Sequence, residues 1–322
     1  MIYYLTMNFL KQIFSIQNEN THKVVYIFGL KIKIRNLKKE IKLLKKQINT
    51  INYLNDLRIK KILPVNSIKT IELHIVDHCN LNCCGCHHFA PLAPESYLSI
   101  AEFKSDLTRL FELTKGDIET FNILGGEPLL HPKCIEFLET ARQIFPKSKI
   151  RLITNGILLP EQSDDFYKKC GKNNILIQPT DYGLDINWEL VKKKCANFGV
   201  NFEFYLDNSI MYKDSIDLSG SHNSIDSYLN CQLGWHEYFY LDHGKIYHCS
   251  KEAYIRFFNN YFKQNLEIPE TDYIDIYKVN NIQEVFNFMN RPPKFCSHCV
   301  KTKPPIEYKW QNTKREITEW IE

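Results

Sequence analysis

The sequence has 322 residues, of which 44% are hydrophobic and 24% charged, and its formal net charge is +4 at pH 7. A chain of this length can bury a substantial core, and its composition excludes a wholly disordered protein. The charge is uneven, because residues 31–61 hold eleven Lys or Arg against two acids, a local charge of +9 that leaves −5 for the rest. A mildly acidic body argues against a nucleic-acid-binding protein.

Residues 1–63 are predicted to form an N-terminal extension with a basic amphipathic helix. The run from Val24 to Gly29 predicts a short strand. Apolar residues then recur every three or four positions in a Lys-rich stretch, at Ile34, Leu37, Ile41, Leu44, Ile48 and Ile51. Because fewer than three full heptads are present, three interpretations stay open: dimerisation, docking on the body of the protein, and peripheral contact with an anionic membrane surface. Pro64 ends the segment.

Residues 64–230 alternate between apolar strands and helical stretches, at the spacing of βα units. We predict strands at 70–78, 119–125, 149–154, 174–179 and 201–207, and helices at 99–115, 133–145, 161–170 and 187–197. Such alternation predicts an α/β fold with a parallel sheet, either open or curled into a full or partial barrel.

Two of these strands also alternate along their length. In the first, Ile71, Leu73 and Ile75 share one face, whereas Glu72 and His74 share the other. We expect the apolar face to pack on helices and the polar face to line a substrate cavity. Residues on the polar face or at the strand ends are candidates for this cavity, namely Glu203, Tyr205, Asp207 and Tyr182 as catalytic residues, and Gln178 and Thr180 as cofactor-binding residues.

The sequence contains no apolar run long enough to span a membrane and begins without the features of a signal peptide, so we expect a cytoplasmic protein. It also contains eleven cysteines. Because the cytosol keeps thiols reduced, cysteines in that compartment are more often metal ligands than disulfides.

A C-x3-C-x2-C arrangement follows the first predicted strand, formed by Cys79, Cys83 and Cys86. Three thiolates at this spacing can hold three irons of a 4Fe-4S cluster and leave the fourth iron open to a small molecule. The alternative is a zinc site, although structural zinc usually takes four protein ligands. Cys84 is surplus to this arrangement.

This cysteine pattern resembles that of the radical S-adenosylmethionine (SAM) superfamily. Two further motifs agree with the resemblance: Gly125-Gly126-Glu127-Pro128 after the second strand, and Thr154-Asn155-Gly156 after the third. The resemblance implies that Gly125, Gly126, Glu127, Pro128 and Asn155 bind the cofactor. One position differs, because many members carry an aromatic residue where this chain has Gly85.

The resemblance implies a 4Fe-4S cluster that binds SAM, and a reduced cluster that cleaves SAM to methionine and a 5′-deoxyadenosyl radical. That radical abstracts a hydrogen atom from the substrate. A partial (β/α)6 barrel is the implied fold, with the site at the carboxyl ends of the strands. An electron donor such as flavodoxin or ferredoxin is the implied partner.

A second cysteine set lies within residues 231–322 and consists of Cys231, Cys249, Cys296 and Cys299. With Gly244, their spacing resembles that of the auxiliary-cluster domains called SPASM or twitch. The resemblance implies one auxiliary 4Fe-4S cluster closed by these four thiolates. A structural zinc on the same four thiolates is the alternative.

The favoured substrate is a sugar or sugar-nucleotide of bacterial surface-glycan synthesis, a small molecule. The segment from Tyr26 to Ile32 resembles a short element of proteins in that setting, and single-cluster relatives act on sugar-like rings. A peptide- or protein-modifying radical SAM enzyme is the first alternative. A non-catalytic protein with zinc at both cysteine sets is the second.

Overall fold

The computed structural model describes residues 14–19, 22–27, 30–35, 37–205, 210–231, 238–301 and 306–322. The chain divides into two compact units, Met1–Ile59 and Lys60–Glu322. The predicted boundary after residue 63 lies four residues beyond this division. The predicted boundary between 64–230 and 231–322 does not coincide with a break between compact units.

The first unit contains a small antiparallel sheet of order β1-β2-β3, formed by β1 (Phe14–Glu19), β2 (His22–Ile27) and β3 (Leu30–Arg35). Helix α1 (Leu37–Ile62) follows and extends past the end of the unit. Four residues of the heptad pattern are more than half exposed on α1, at Ile41 (52%), Leu44 (55%), Ile48 (54%) and Ile51 (56%). The three interpretations of this stripe stay predictions.

The second unit begins with strands and helices in alternation. These are β4 (Ile68–Val76), α2 (Ile100–Thr114), β5 (Ile118–Gly125), α3 (Cys134–Ile144), β6 (Lys149–Thr154), α4 (Asp164–Lys172), β7 (Ile175–Pro179), α5 (Trp188–Asn197) and β8 (Asn201–Phe202). Ser99 and Ser163 cap α2 and α4 by accepting hydrogen bonds from backbone N–H groups of the first turn. The caps fix where each helix begins, and hence the length of the loop before it.

The remaining elements of this unit are shorter. They are β9 (Ile210–Lys213), α6 (Ser224–Asn230), β10 (Tyr238–Asp242), β11 (Lys245–Tyr247), α7 (Ser250–Phe262), β12 (Tyr273–Asp275), α8 (Ile282–Met289) and β13 (Ile306–Lys309). The predicted turn at Asp242-His243-Gly244 joins β10 to β11 as an antiparallel hairpin. No helix among the described residues is both long enough and apolar enough to cross a membrane.

Among the described residues, the main sheet has the order β12-β11-β10-β4-β5-β6-β7-β8. Strand pairs from β10 to β8 are parallel, and only the pairs at the β11 and β12 edge are antiparallel. The predicted α/β fold with a mostly parallel sheet is therefore confirmed. Strands β10 to β12 lie within residues 231–322, so this region continues the sheet of the preceding residues.

The fifth predicted strand is shorter than expected. Strand β8 covers Asn201–Phe202, whereas the alternation had predicted 201–207. The backbone N–H groups of Glu203 and Tyr205 still donate to Ile177 O at 3.2 Å and Pro179 O at 2.7 Å. The chain thus follows β7 beyond the regular strand because alternate residues keep their hydrogen bonds.

The two faces of the sheet differ as the alternation predicted. Ile71, Leu73 and Ile75 belong to the main hydrophobic core, together with Phe103 of α2 and Phe137 of α3. Glu72 and His74 lie on the opposite face and are also buried, at 8% and 6% exposure. This buried face carries carboxylate and imidazole groups. It is the polar face that the sequence predicts to line the substrate cavity.

Arg142, near the end of α3, ties three segments together. Its guanidinium donates to the carbonyls of Asn173 (2.8 Å), Pro146 (2.9 Å), Ser148 (2.7 Å) and Asn174 (3.2 Å). These carbonyls belong to the end of α4 and to the loop that leads into β6. One side chain therefore joins the end of α4 to the loop that leads into β6.

We expect Arg142→Met to lower the free energy of unfolding by about 2–3 kcal/mol, because several partly buried carbonyls lose a charged donor. Chemical denaturation monitored by circular dichroism measures this loss. Arg291→Met is the matched control, since Arg291 is exposed, and we expect it to stay within about 0.5 kcal/mol of wild type. Equal losses in the two variants would contradict the assigned role of Arg142.

Candidate functional site

The loop between β4 and α2 brings Cys79, Cys83 and Cys86 together as free thiols. Burial raises the pKa of each thiol, and for Cys83 to about 12. The charge of the neighbouring thiols raises the pKa of Cys79 and Cys83 further. Such thiols ionise only if a cation compensates them, which is what bound iron supplies. The donor set therefore fits a cluster held by three cysteines.

Hydrogen-bond donors point at two of these sulfurs. Leu81 N lies 3.3 Å from Cys79 Sγ, and the indole Nε1 of Trp310 lies 3.2 Å from Cys83 Sγ. The side-chain amide of Asn155 lies 3.6 Å from Cys79 Sγ. Donors of this kind favour the thiolate form, so the loop is arranged to present negatively charged sulfurs.

The turn after β5 lies in close backbone contact with the cysteine loop. Gly126 N donates to Val76 O at 2.8 Å, and Glu127 N donates to His78 O at 3.1 Å. A Cβ atom at Gly125 would lie 2.2 Å from Val76 O, and one at Gly126 would lie 2.1 Å from His78 O. Both positions therefore require glycine, and the two loops are held at a fixed spacing.

The carboxylate of Glu127 links this turn to the one after β6. It is fully buried, and it accepts hydrogen bonds from Thr154 Oγ1 (2.7 Å), Leu129 N (3.0 Å) and Asn155 N (2.8 Å). Burial raises its pKa to about 7 despite these donors. Both carboxylate oxygens thus have partners inside the protein, which gives Glu127 a positioning role between the two motifs.

Residues 306–322 lie against the cysteine loop, a contact that sequence reasoning missed. Cys84 N donates to Gln311 O at 3.0 Å, and Trp320 Nε1 donates to Cys86 O at 3.0 Å. Gly85 has a φ of +60°, and a Cβ atom there would lie 3.0 Å from the Tyr308 hydroxyl. The missing aromatic side chain at position 85 thus has a structural reason, because Tyr308 takes that space.

The predicted candidates after β7 and β8 have different surroundings. Tyr182 lies close to the cysteines. Burial raises the pKa of its hydroxyl group, and the charges of Cys83, Cys86 and Cys79 raise it further. Thr180 is buried, and its backbone N–H donates to Thr154 O at 2.9 Å. Glu203 is exposed and does not join the buried polar face. Asp207 lies outside the described residues.

Gln178 and Tyr205 do reach the polar face. Gln178 is buried at 8% exposure. Burial and then the charge of Glu72 raise the pKa of Tyr205, whereas the charge of Arg151 lowers it. Sequence reasoning missed Arg151, although it alternates with Ile150 and Leu152 of the core in β6. The alternation of Arg151 with core residues could have identified it from the sequence as a residue of the polar face.

The structure also brings together the second cysteine set, Cys231, Cys249, Cys296 and Cys299. After burial, charges of the other thiols in the set raise the pKa of Cys249, Cys296 and Cys299, and Glu252 adds to this for Cys249 and Cys296. No group of three or more His, Cys, Asp or Glu side chains in the described ranges is arranged to hold a single metal ion. Cysteines of a 4Fe-4S cluster each bind a different iron, so they need not converge on one point.

Three lysines surround this second set. Lys61 and Lys251 are buried, at 6% and 3% exposure, and Lys61 Nζ donates to Cys231 O at 2.6 Å. Lys251 pairs with Asp214 at 2.7 Å, and Lys301 pairs with the same carboxylate. Three lysines thus stand against two carboxyl groups, Asp214 and Glu252. This excess of basic side chains suits a neighbouring anionic centre, such as a 4Fe-4S cluster or a zinc ion held by four thiolates.

The comparisons with known proteins agree with this geometry. Residues 73–223 match the family model described as Radical SAM superfamily. The GTP 3′,8-cyclase of Microcystis aeruginosa is 29% identical over 108 residues, which is 32% of this chain and 32% of that protein. The probable GTP 3′,8-cyclase of Methanopyrus kandleri is 31% identical over 98 residues, 30% of each chain.

Among solved structures, BtrN in complex with AdoMet and 2-DOIA is 13% identical, with a TM-score of 0.43, and the match covers 73% of this chain and 94% of that one. The chain spans about a third of the length of the first curated relatives that it matches. The family match includes the cysteine loop and both turns that contact it. The part of the chain that carries the cysteine loop and these two turns, residues 73–223, is therefore similar to the radical SAM superfamily.

Proposed function

We propose that this protein cleaves SAM at Cys79, Cys83 and Cys86 and uses the resulting radical to abstract hydrogen from a hydroxylated small molecule, with a sugar-nucleotide as the favoured substrate. The arrangement of three neighbouring thiols, at Cys79, Cys83 and Cys86, against the turns at Gly126 and Asn155 carries this proposal. When bound, the reduced 4Fe-4S cluster supplies the electron that breaks the sulfur–C5′ bond of SAM.

The protein's own residues position the reactants. The glycines at 125 and 126 keep backbone close to the cysteine loop, and Glu127 fixes the turn that presents Asn155. Tyr182 and residues 306–322 cover the thiols and limit the access of water. A reactive radical requires this exclusion of water. We assign the polar face of the sheet, curled as a partial (β/α)6 barrel, to the substrate.

We further propose that the second cysteine set holds an auxiliary 4Fe-4S cluster of the twitch type. The surplus of lysine charge at Lys61, Lys251 and Lys301 supports an anionic centre at that place. Structural zinc is the competing occupant, and metal analysis distinguishes the two. A flavodoxin- or ferredoxin-like donor is the proposed source of electrons.

A purine nucleotide is the second candidate substrate. The observation that favours it is that curated relatives similar to part of this chain are named GTP 3′,8-cyclases. A sugar-nucleotide and GTP share phosphates and ribose hydroxyls, so one binding surface suits either ligand.

We expect reconstituted wild type to hold about eight irons, as two 4Fe-4S clusters require, and to form 5′-deoxyadenosine from SAM with dithionite. The triple variant Cys79→Ala, Cys83→Ala, Cys86→Ala should keep about four irons and form none. Anaerobic reconstitution with iron, sulfide and zinc analysis measures both. Cys84→Ala is the matched control and should behave as wild type, because Cys84 is surplus to the pattern. Zinc in place of iron without SAM cleavage would reject the proposed function.

Trp310→Phe should make the reduction potential of the SAM-binding cluster more negative, because it removes the N–H donor 3.2 Å from Cys83 Sγ while it keeps an aromatic ring. A redox titration followed by electron paramagnetic resonance measures the shift. The control is Trp188→Phe, since Trp188 packs on Phe202 and Phe204 instead of on the cysteine loop. An unchanged potential in the Trp310 variant would exclude this tuning role.

Lys301→Met should make the potential of the auxiliary cluster more negative, because a nearby cation stabilises the reduced, more negative state. Lys294→Met is the control, since Lys294 is exposed close to Cys296 in sequence. Both potentials come from the same titration. A centre that contains zinc and gives no redox signal would instead reject the auxiliary cluster.

A further inference from the structure

Five polar side chains lie together on the buried polar face of the main sheet, and four of them form one row. Strand register pairs Tyr240 with Glu72, Glu72 with Asn122, and Asn122 with Arg151. Gln178 belongs to the next strand and pairs with Ile153, two residues after Arg151, so it lies diagonally adjacent. Side chains that alternate with core residues point away from the core, so this row faces the polar side.

Three atoms of this set have no hydrogen-bond partner among the described residues, although they are buried. They are Asn122 Oδ1, Arg151 Nε and Gln178 Oε1. Buried polar atoms are nearly always paired in folded proteins, and an unpaired group costs stability. Three such atoms on one face, from three neighbouring strands, indicate a partner that is bound from outside the chain.

The orientation of Asn122 is determined by its neighbour. Its Nδ2 donates to Glu72 Oε1 at 2.6 Å, and Asn122 is fully buried. A flipped amide would place two acceptors against each other, so Oδ1 must be the acceptor that faces the row. Tyr240 also hydrogen-bonds the Glu72 carboxylate. The Glu72 carboxylate therefore already has hydrogen-bond partners within the protein, Asn122 and Tyr240.

The unpaired atoms define the chemistry of the missing partner. Asn122 Oδ1 and Gln178 Oε1 are acceptors and require donors such as hydroxyl groups, whereas Arg151 is a donor that carries positive charge. A guanidinium in a partly buried site favours phosphate or carboxylate. We propose that Asn122, Arg151 and Gln178 form a recognition site for a ligand that combines hydroxyl groups with an anion, as a nucleotide or sugar-nucleotide does. This inference rests on the proposed function.

The distance to the cysteine loop suits such a ligand. Glu72 lies four residues before Val76, the last residue of β4, and the cysteine loop begins there. At about 3.3 Å per residue, the row is about 13 Å from that loop along the strand direction. The row thus holds one end of a ligand whose other end approaches the radical.

The test measures binding to reconstituted full-length protein by anaerobic isothermal titration calorimetry, with UDP-glucose and GTP as probes and SAM present. We expect wild type to bind at least one probe and Arg151→Met to bind it about tenfold more weakly or worse, since a charged donor is lost. Lys149→Met is the matched control, because Lys149 is an exposed cation on the same face of β6, and it should bind as wild type.

Tighter binding of UDP-glucose would identify a sugar-nucleotide as the ligand, and tighter binding of GTP would identify a purine nucleotide. The site is rejected if wild type binds neither probe, if Arg151→Met binds as wild type, or if Lys149→Met loses as much. If Arg151→Met fails to fold, Gln178→Leu decides: weaker binding supports the site, and unchanged binding rejects it.

SAM cleavage by wild type is measured in the same preparation. It distinguishes failure of the recognition site from failure of the proposed function. Cleavage without binding of either probe rejects only the recognition site. Absence of cleavage rejects the proposed function on which it rests.

Discussion

The whole site depends on one close approach of backbone to backbone, at the carboxyl edge of the parallel sheet. The turn at Gly125 and Gly126 lies so near Val76 and His78 that no side chain fits between them. This contact fixes the cysteine loop relative to β5, and the buried carboxylate of Glu127 extends the same constraint to the turn after β6. Three loops of different strands therefore behave as one rigid platform, because parallel strands present their carboxyl ends at one edge.

Charge is distributed differently at the two cysteine sets. Neutral donors, such as the indole of Trp310 and the amide of Asn155, surround the first set. Lysine side chains, at Lys61, Lys251 and Lys301, surround the second. Hydrogen bonds and net charge both set the reduction potential of an iron-sulfur cluster. Two clusters in these environments would differ in potential, which gives electrons a preferred direction between them.

Local patterns predicted the parts of the fold that local physics controls. Alternation in β4 identified the core face, and C-x3-C-x2-C located the loop that brings three free thiols together, because both depend on residues close in sequence. Sequence could not predict that residues 306–322 cover that loop, since the partners of Cys84 and Trp310 are set by tertiary packing. The exposed position of Glu203 was missed for the same reason: β8 ends at Phe202, so alternation no longer determines the direction of its side chain.

The pairing of Cys83 with Trp310 joins residues 227 positions apart in the chain. Closing a longer loop costs more entropy, so we expect this contact to form after the contacts between neighbouring βα units. A cluster that assembles on these thiols would then have access to them before residues 306–322 cover the loop. The same cover would afterwards slow the loss of metal.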